Sequence, residues 1–321
     1  MAGKVVVEMK LSDVFTTVLR TRNSDGRRCA EPGIRRCAAL AMVMGLAIAL
    51  AQPAHAATRN FTLTVGRHQV DIGGGMKYLA WTYNGTVPGP VLRVRQGDTV
   101  HIKLENPTGN AHGIFVGAAQ IAPRHFGGDP LAAVDYTFKA EVPGVFAYHC
   151  TAIPVLDHIA GGMYGMMIVE PRDGWPGGPA QEVTIVQSEF YGLPNAAGVI
   201  TGDHAKMVAA LPDFMVFNGK LNNYSVDHTI PLKANKLVRV FFLNAGPNLS
   251  SEFSIEGVIF KRIYAGGNPA NVLHGLGNFF VGPGASAIFE FQVDEAGNYP
   301  FADQRSAGAY KGALGIFSVT P

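Results

Sequence analysis

From Thr58 onward the chain alternates in short runs of apolar and polar residues, broken repeatedly by Gly, Pro and Asn. In Thr99-Val-His-Ile-Lys-Leu-Glu105, Val100, Ile102 and Leu104 face one way and His101, Lys103 and Glu105 the other. That period of two is the signature of a half-buried strand, and it makes His101 a solvent-facing residue. Val183-Thr-Ile-Val-Gln187, Val238-Arg-Val-Phe-Phe-Leu243 and Ala287-Ile-Phe-Glu-Phe-Gln-Val293 read as further strands. Only Asp203-His-Ala-Lys-Met-Val-Ala-Ala-Leu211 carries a short helical pattern. The expected fold class is all-β.

The pattern also repeats. Tyr83-Asn-Gly85 leads into Pro90-Val-Leu-Arg-Val and then Val100-His-Ile-Lys-Leu-Glu-Asn106; Phe217-Asn-Gly219 leads into Ile230-Pro-Leu-Lys and then Val238-Arg-Val-Phe-Phe-Leu-Asn244. Val142-Pro-Gly-Val-Phe-Ala-Tyr148 has a counterpart in Glu295-Ala-Gly-Asn-Tyr-Pro-Phe301, and Gly165-Met-Met-Ile-Val169 one in Gly315-Ile-Phe-Ser-Val319. Two similar strand-rich units imply two β-sandwiches in tandem. The Gly/Pro-rich segment 171–179 is the natural linker, which divides the chain into 57–172 and 173–321.

The first 56 residues break the pattern and read as an export signal. Arg35 and Arg36 precede an apolar run over 37–50, and Ala54-His-Ala56 offers a small-x-small cleavage site. The apolar run falls short of the ~20 residues that a membrane-spanning helix needs, so no membrane span is expected in the mature chain. The expected location is the periplasm. Export changes the cysteine arithmetic: Cys29 and Cys37 precede the cleavage site, leaving Cys150 alone and unable to form an internal disulfide. The formal net charge of +2 gives no electrostatic footprint for nucleic acid.

A lone thiol in an oxidising compartment needs burial or a bound partner, and the residues around Cys150 suggest a metal. Cys150, His158 and Met163 follow the spacing Cys-x7-His-x4-Met, and His112 lies just after an earlier strand. Two imidazoles, one thiolate and a weak axial thioether form the donor set of type 1 copper. Each residue also has an ordinary reading: a buried cysteine is commonly a small apolar residue, Met163 can fill core beside Met166 and Met167, and His158 can sit on a surface loop. Zinc accepts Cys and His but rarely a thioether, so Met163 counts against it. Iron–sulfur clusters and haem c lack the cysteines they require. The expected cofactor is one type 1 copper per chain, bound by His112, Cys150, His158 and Met163.

The chain resembles the two-domain copper-containing nitrite reductases. The matching segments are Thr82-Tyr-Asn-Gly-Thr-Val-Pro-Gly-Pro90, Gly97-Asp-Thr-Val, Tyr148-His-Cys150 through Gly162-Met-Tyr-Gly165, Gly246-Pro-Asn-Leu249 and Lys311-Gly-Ala-Leu-Gly315. The resemblance implies two tandem cupredoxin-like Greek-key β-sandwiches, assembled as a homotrimer, with type 1 copper in the first. It also implies a second, type 2 copper where nitrite is reduced, held by three histidines with an aspartate and a further histidine delivering protons. One of these ligands is matched, by His149. The second type 2 ligand falls at Gly117 and the third at Gln304; the proton-relay aspartate falls at Phe115 and the catalytic histidine at Ser254. No histidine follows His274. The repeat places Asp303 where the first unit has Cys150, so the second unit carries no blue copper of its own.

The leading expectation is therefore a periplasmic electron carrier with a single type 1 copper and a redox protein as donor or acceptor. One rival is a nitrite reductase or small oxidase whose second copper site is rebuilt from His149 and His125; His204, His228 and His274 otherwise read as ordinary surface residues. Another is a copper-handling protein without turnover. The trinuclear centre of multicopper oxidases needs several His-x-His pairs, and the sequence has none.

Overall fold

The computed structural model describes residues 56–121 and 127–321. The predicted export segment, apart from Ala56, and the His125 position lie outside the described residues.

The alternating run at 99–106 forms the strand Thr99–Asn106, with Val100, Ile102 and Leu104 fully buried and His101 exposed. It runs parallel to Thr58–Gly73 and antiparallel to Ala132–Lys139, in a sheet completed by Met76–Tyr83 and Val199–Ile200. A second sheet orders Leu92–Arg95, Tyr164–Glu170, Gly144–His149 and Phe115–Val116. Leu63, Val65, Val100 and Ile102 from the first sheet meet Leu92, Val94, Met167 and Val169 from the second in one apolar core. Cys150 and Met163 belong to that core.

The later half repeats the design. One sheet carries Gln181–Phe190, Val238–Gly246 and Ser286–Phe291; the other carries Leu314–Thr320, Gly297–Asp303 and Ser251–Ile255. Their shared core is rich in phenylalanine, with Phe217, Phe242, Phe253, Phe289, Phe301 and Phe317 buried together. The register of the repeat is set by two aromatic–glycine pairs. Tyr148 lies opposite Gly165 and Phe301 opposite Gly315. A Cβ on Gly165 would stand 2.2 Å from the Tyr148 ring, and one on Gly315 2.3 Å from the Phe301 ring, so each aromatic side chain needs its glycine. The tandem all-β cupredoxin expectation is met.

The halves share buried surface. The strand Tyr164–Glu170 is buried on both faces: Met167 and Val169 enter the first core, while Tyr164, Met166 and Ile168 pack with Val186, Phe241, Leu243 and Ile288. Polar ties accompany this packing. Arg93 pairs with Glu182 at 2.6 Å, and the Ser286 hydroxyl donates to the Val145 carbonyl at 2.6 Å. Within the second half, the fully buried Arg239 donates to Glu290 at 2.7 Å, and Arg262 reaches the other oxygen of the same carboxylate at 2.6 Å.

Among the described residues three short helices interrupt the strands: α1 (Val155–Ala160), α2 (His204–Val208) and α3 (Ser306–Tyr310). The pattern over 203–211 yields α2, capped by the Asp203 carboxylate accepting from the Lys206 N–H at 3.1 Å. No comparable run of pattern marks α1 or α3 in the sequence. Among the described residues no helix is long and apolar enough to cross a membrane.

Candidate metal centre

Three segments converge at one end of the first sandwich. Cys150 follows the strand Gly144–His149, His112 opens the two-residue strand His112–Gly113, and His158 projects from α1. Asn106 braces the approach to His112: its side-chain amide donates to the Asn110 carbonyl at 2.8 Å and to the Asp129 carbonyl at 3.1 Å. The Cys150 N–H donates to the Met163 carbonyl at 3.0 Å, and the Met163 N–H donates to the His158 carbonyl at 3.0 Å. Those two bonds close the loop and bring Cys150, His158 and Met163 together.

The donor atoms face one another. The Nδ1 atoms of His112 and His158 are 3.2 Å apart, and Cys150 Sγ lies 3.4 Å from His158 Nδ1 and 3.9 Å from His112 Nδ1. Among the described residues, these three are the group of His, Cys and carboxylate side chains close enough to hold an ion. Bonds of ~2.0–2.3 Å from imidazole nitrogen and thiolate let one first-row ion reach donors at such separations. Met163 is fully buried in the same core cluster as Cys150.

The electrostatics suit a metal as well. Burial, helped by the neighbouring His158, pushes His112 down from the usual imidazole range to about 4. Burial also lowers His158, with Asp157 pulling the other way. Both rings are therefore neutral near pH 7 and able to donate a lone pair. Burial raises the Cys150 thiol, while the N–H groups of Gly113 and Ala152, at 3.4 and 3.5 Å from Sγ, favour the thiolate. A cation beside the sulfur would complete that stabilisation. The residues present fit copper: two neutral imidazoles, one thiolate held by two N–H donors and a buried thioether, with a protein surround that fixes them.

The outer face of the same strand end differs. Neighbouring residues of a strand point to opposite sides, and His149 turns away from the Cys150 pocket. Its Nδ1 donates to the Cys150 carbonyl at 2.9 Å, which leaves Nε2 as the available lone pair. Phe115 pairs with His149 across the sheet, and the rings lie 5.0 Å apart. Gly117 contributes only its N–H, to the Ala147 carbonyl at 2.9 Å. In the second half, Gln304 donates from its side-chain amide to the Ser254 hydroxyl at 2.6 Å. His204 pairs with Asp157 at 2.7 Å, His274 contacts the Lys261 carbonyl at 3.0 Å, and His228 is exposed in a turn.

Asp303, the counterpart of Cys150, is fully buried in a polar network rather than beside imidazoles. Gln187 donates to it at 3.3 Å, Ser251 donates to Gln187 at 2.6 Å, and Arg305 pairs with it at 2.6 Å. Sequence reasoning missed this network, along with the helical setting of His158 and the Trp81 ring 4.5 Å from His112. A signal existed for the network: a buried-strand aspartate followed two residues later by arginine.

Known proteins bear on the same residues. Residues 64–174 match the multicopper oxidase family model. The chain is 38% identical over 257 residues to a copper-containing nitrite reductase of Neisseria gonorrhoeae, a match covering 76% of this chain and 64% of that relative's length. The solved structure of a copper nitrite reductase from Nitrosomonas europaea superposes with a TM-score of 0.76 at 34% identity, covering 82% of this chain and 94% of that one. A multicopper oxidase crystal structure superposes with a TM-score of 0.72 at 26% identity, over 82% and 89% of the two chains.

Proposed function

For a chain that belongs to the copper-containing nitrite reductase family, we propose a role narrower than the family's name: an exported one-electron carrier with a single type 1 copper. His112 Nδ1, Cys150 Sγ and His158 Nδ1 would hold the ion, with the Met163 thioether as a further, weaker donor. A copper ion bound there supplies a one-electron couple between Cu(I) and Cu(II). The chain's own contribution is rigidity: Cys150, His158 and Met163 are tied by main-chain hydrogen bonds and His112 by the braced turn before it. Donors that do not move between oxidation states let an electron arrive and leave without rearrangement. The partners in this reading are periplasmic redox proteins, and the assembly is a homotrimer.

The observation that carries the reading is the difference between two adjacent residues. Cys150 meets two neutral imidazoles on the inner face, whereas His149 meets the Phe115 ring on the outer face. Gly117 offers no donor side chain, and the Gln304 amide is turned to Ser254. One imidazole with an amide makes a poor copper site. Without a second metal, nitrite has no Lewis acid to bind, and Phe115 supplies no proton.

The competing reading is nitrite reduction, NO2⁻ + 2H⁺ + e⁻ → NO + H2O, at a second copper built on His149. The names of the relatives and the available Nε2 of His149 favour it. Metal analysis with electron paramagnetic resonance separates the two: one copper per chain with a type 1 signal alone supports the carrier, and a second, type 2 signal supports the reductase.

A further inference from the structure

Gly113 lies beside both a tyrosine and the thiol. Its N–H points at Cys150 Sγ, 3.4 Å away, and its carbonyl accepts from the Tyr83 hydroxyl at 2.6 Å. Tyr83 and Cys150 are both fully buried. The 2.6 Å separation is at the short end for a neutral O–H···O bond. Gly113 immediately follows His112 and has no side chain by which its neighbours could hold its backbone. The hydroxyl holds the following peptide plane, which carries the Gly113 carbonyl, and through the shared Cα restrains the plane that carries the N–H.

The second half of the chain provides an internal control. Phe217 occupies the place of Tyr83 in the repeated aromatic-Asn-Gly turn, each with its bridge three residues on, to Thr86 and to Lys220. Tyr83 lies 5.6 Å from Tyr148, and Phe217 lies 5.6 Å from Phe301. The strand pairings Phe115 with His149 and Ser254 with Ala302 make Glu252 the counterpart of Gly113. The Glu252 N–H donates to Asp303 at 3.1 Å, just as the Gly113 N–H donates to Cys150. The main-chain donor is thus kept in both halves, but the hydroxyl is present only beside the thiol. A phenylalanine fills the same space in the other half, so the fold alone does not demand the hydroxyl.

We propose that the Tyr83 hydroxyl is a positioning group of the metal centre, anchoring the Gly113 backbone through its carbonyl so that the N–H on the other side of the Cα stays aimed at the Cys150 sulfur and limits how strongly the thiolate donates. The inference rests on the type 1 copper reading. Hydrogen bonding around the cysteine sulfur tunes the potential of such sites. A donor on the sulfur withdraws electron density, weakens the sulfur–copper(II) bond and favours the reduced state. Loss of the hydroxyl frees the Gly113 backbone to rotate and returns density to the sulfur.

The test compares copper-loaded wild type, Tyr83→Phe and Tyr148→Phe by visible absorption and by redox titration. Tyr148 is the control, because its buried hydroxyl donates to the Pro90 carbonyl at 2.6 Å, away from Gly113. Tyr83→Phe is expected to shift the thiolate-to-copper band to lower energy and to lower the equilibrium constant for reduction. A tenfold fall would correspond to about 59 mV for one electron. Tyr148→Phe is expected to lower stability while leaving band and potential in place. Genetically encoded 3-fluorotyrosine at position 83 keeps the ring and strengthens the donor, so it should move both readouts the other way. This arm stands even if Tyr83→Phe fails to load copper. Unchanged band and potential in Tyr83→Phe, equal shifts in Tyr148→Phe, or a fluorotyrosine shift in the same direction as phenylalanine would each overturn the proposal. A wild type without any thiolate-to-copper band overturns the copper reading itself, a result distinct from these.

Discussion

Cys150 and His149 are neighbours with different surroundings, and their substitutions should separate accordingly. Cys150→Ser removes the only thiolate at the site and is expected to abolish the intense visible band of the copper-loaded protein. His149→Ala is expected to leave that band and reversible reduction intact, because the ring contacts Phe115 and the Cys150 carbonyl rather than the inner donors. Loss of one copper per chain in His149→Ala would count against the single-site reading. The imidazoles also predict a pH dependence. His112 is held at about 4 in the fold, below its ordinary 6.5. Between those values the unfolded chain binds more protons at this position than the native one, so metal-free stability rises with pH across the window and is lost as pH falls through it. Urea unfolding of the metal-free protein at pH 7, 5.5 and 4.5 should give midpoints falling in that order.

At the scale of elements, the strands were legible and the loops less so. Alternation in 99–105 announced both the strand and the exposure of His101, because a half-buried strand writes its two faces directly into the sequence. Aromatic–glycine pairing was visible only as a repeat of Tyr148 with Gly165 and Phe301 with Gly315; the reason, a ring lying where a Cβ would be, needs coordinates. Helix α1 was not legible, since six residues between a cysteine and a methionine carry too short a period to distinguish from a loop. Spacing identified His112, Cys150, His158 and Met163 as candidates, but spacing could not show the Nδ1 atoms turned toward the sulfur. The aromatic–glycine pairs make a local prediction. Gly165→Ala places a methyl group against the Tyr148 ring and should cost about 1–3 kcal/mol, the range for overpacking a filled core. Urea denaturation measures it, and a neutral result would mean that the Tyr148 ring moves aside freely.

For the whole molecule, the two halves behave as one body joined through the strand Tyr164–Glu170 and the core around Phe241 and Ile288. The buried carboxylate of Glu290 is central to the second half, since it neutralises Arg239 and binds Arg262. Glu290→Ala leaves the buried Arg239 guanidinium with only the partly exposed Glu182, at 3.3 Å, as counter-charge, a change expected to cost about 3 kcal/mol. Its effect should appear as a lower unfolding midpoint with an unchanged copper band in the protein that remains folded. In the proposed reading, the division of labour between halves explains why family membership and function separate. The His-Cys-His group is contained within the first half, with His112, Cys150 and His158 drawn together there. The matched positions for the second metal are spread over both halves, where Phe115, Gly117, Ser254 and Gln304 provide no nitrogen ligand beyond His149 except an amide already bonded to Ser254. The most direct test is the number and type of coppers in the purified, copper-loaded protein, by metal analysis and electron paramagnetic resonance, before and after adding nitrite. One copper per chain, a type 1 signal and no change with nitrite is the predicted result; two coppers with a nitrite-sensitive type 2 signal would contradict it.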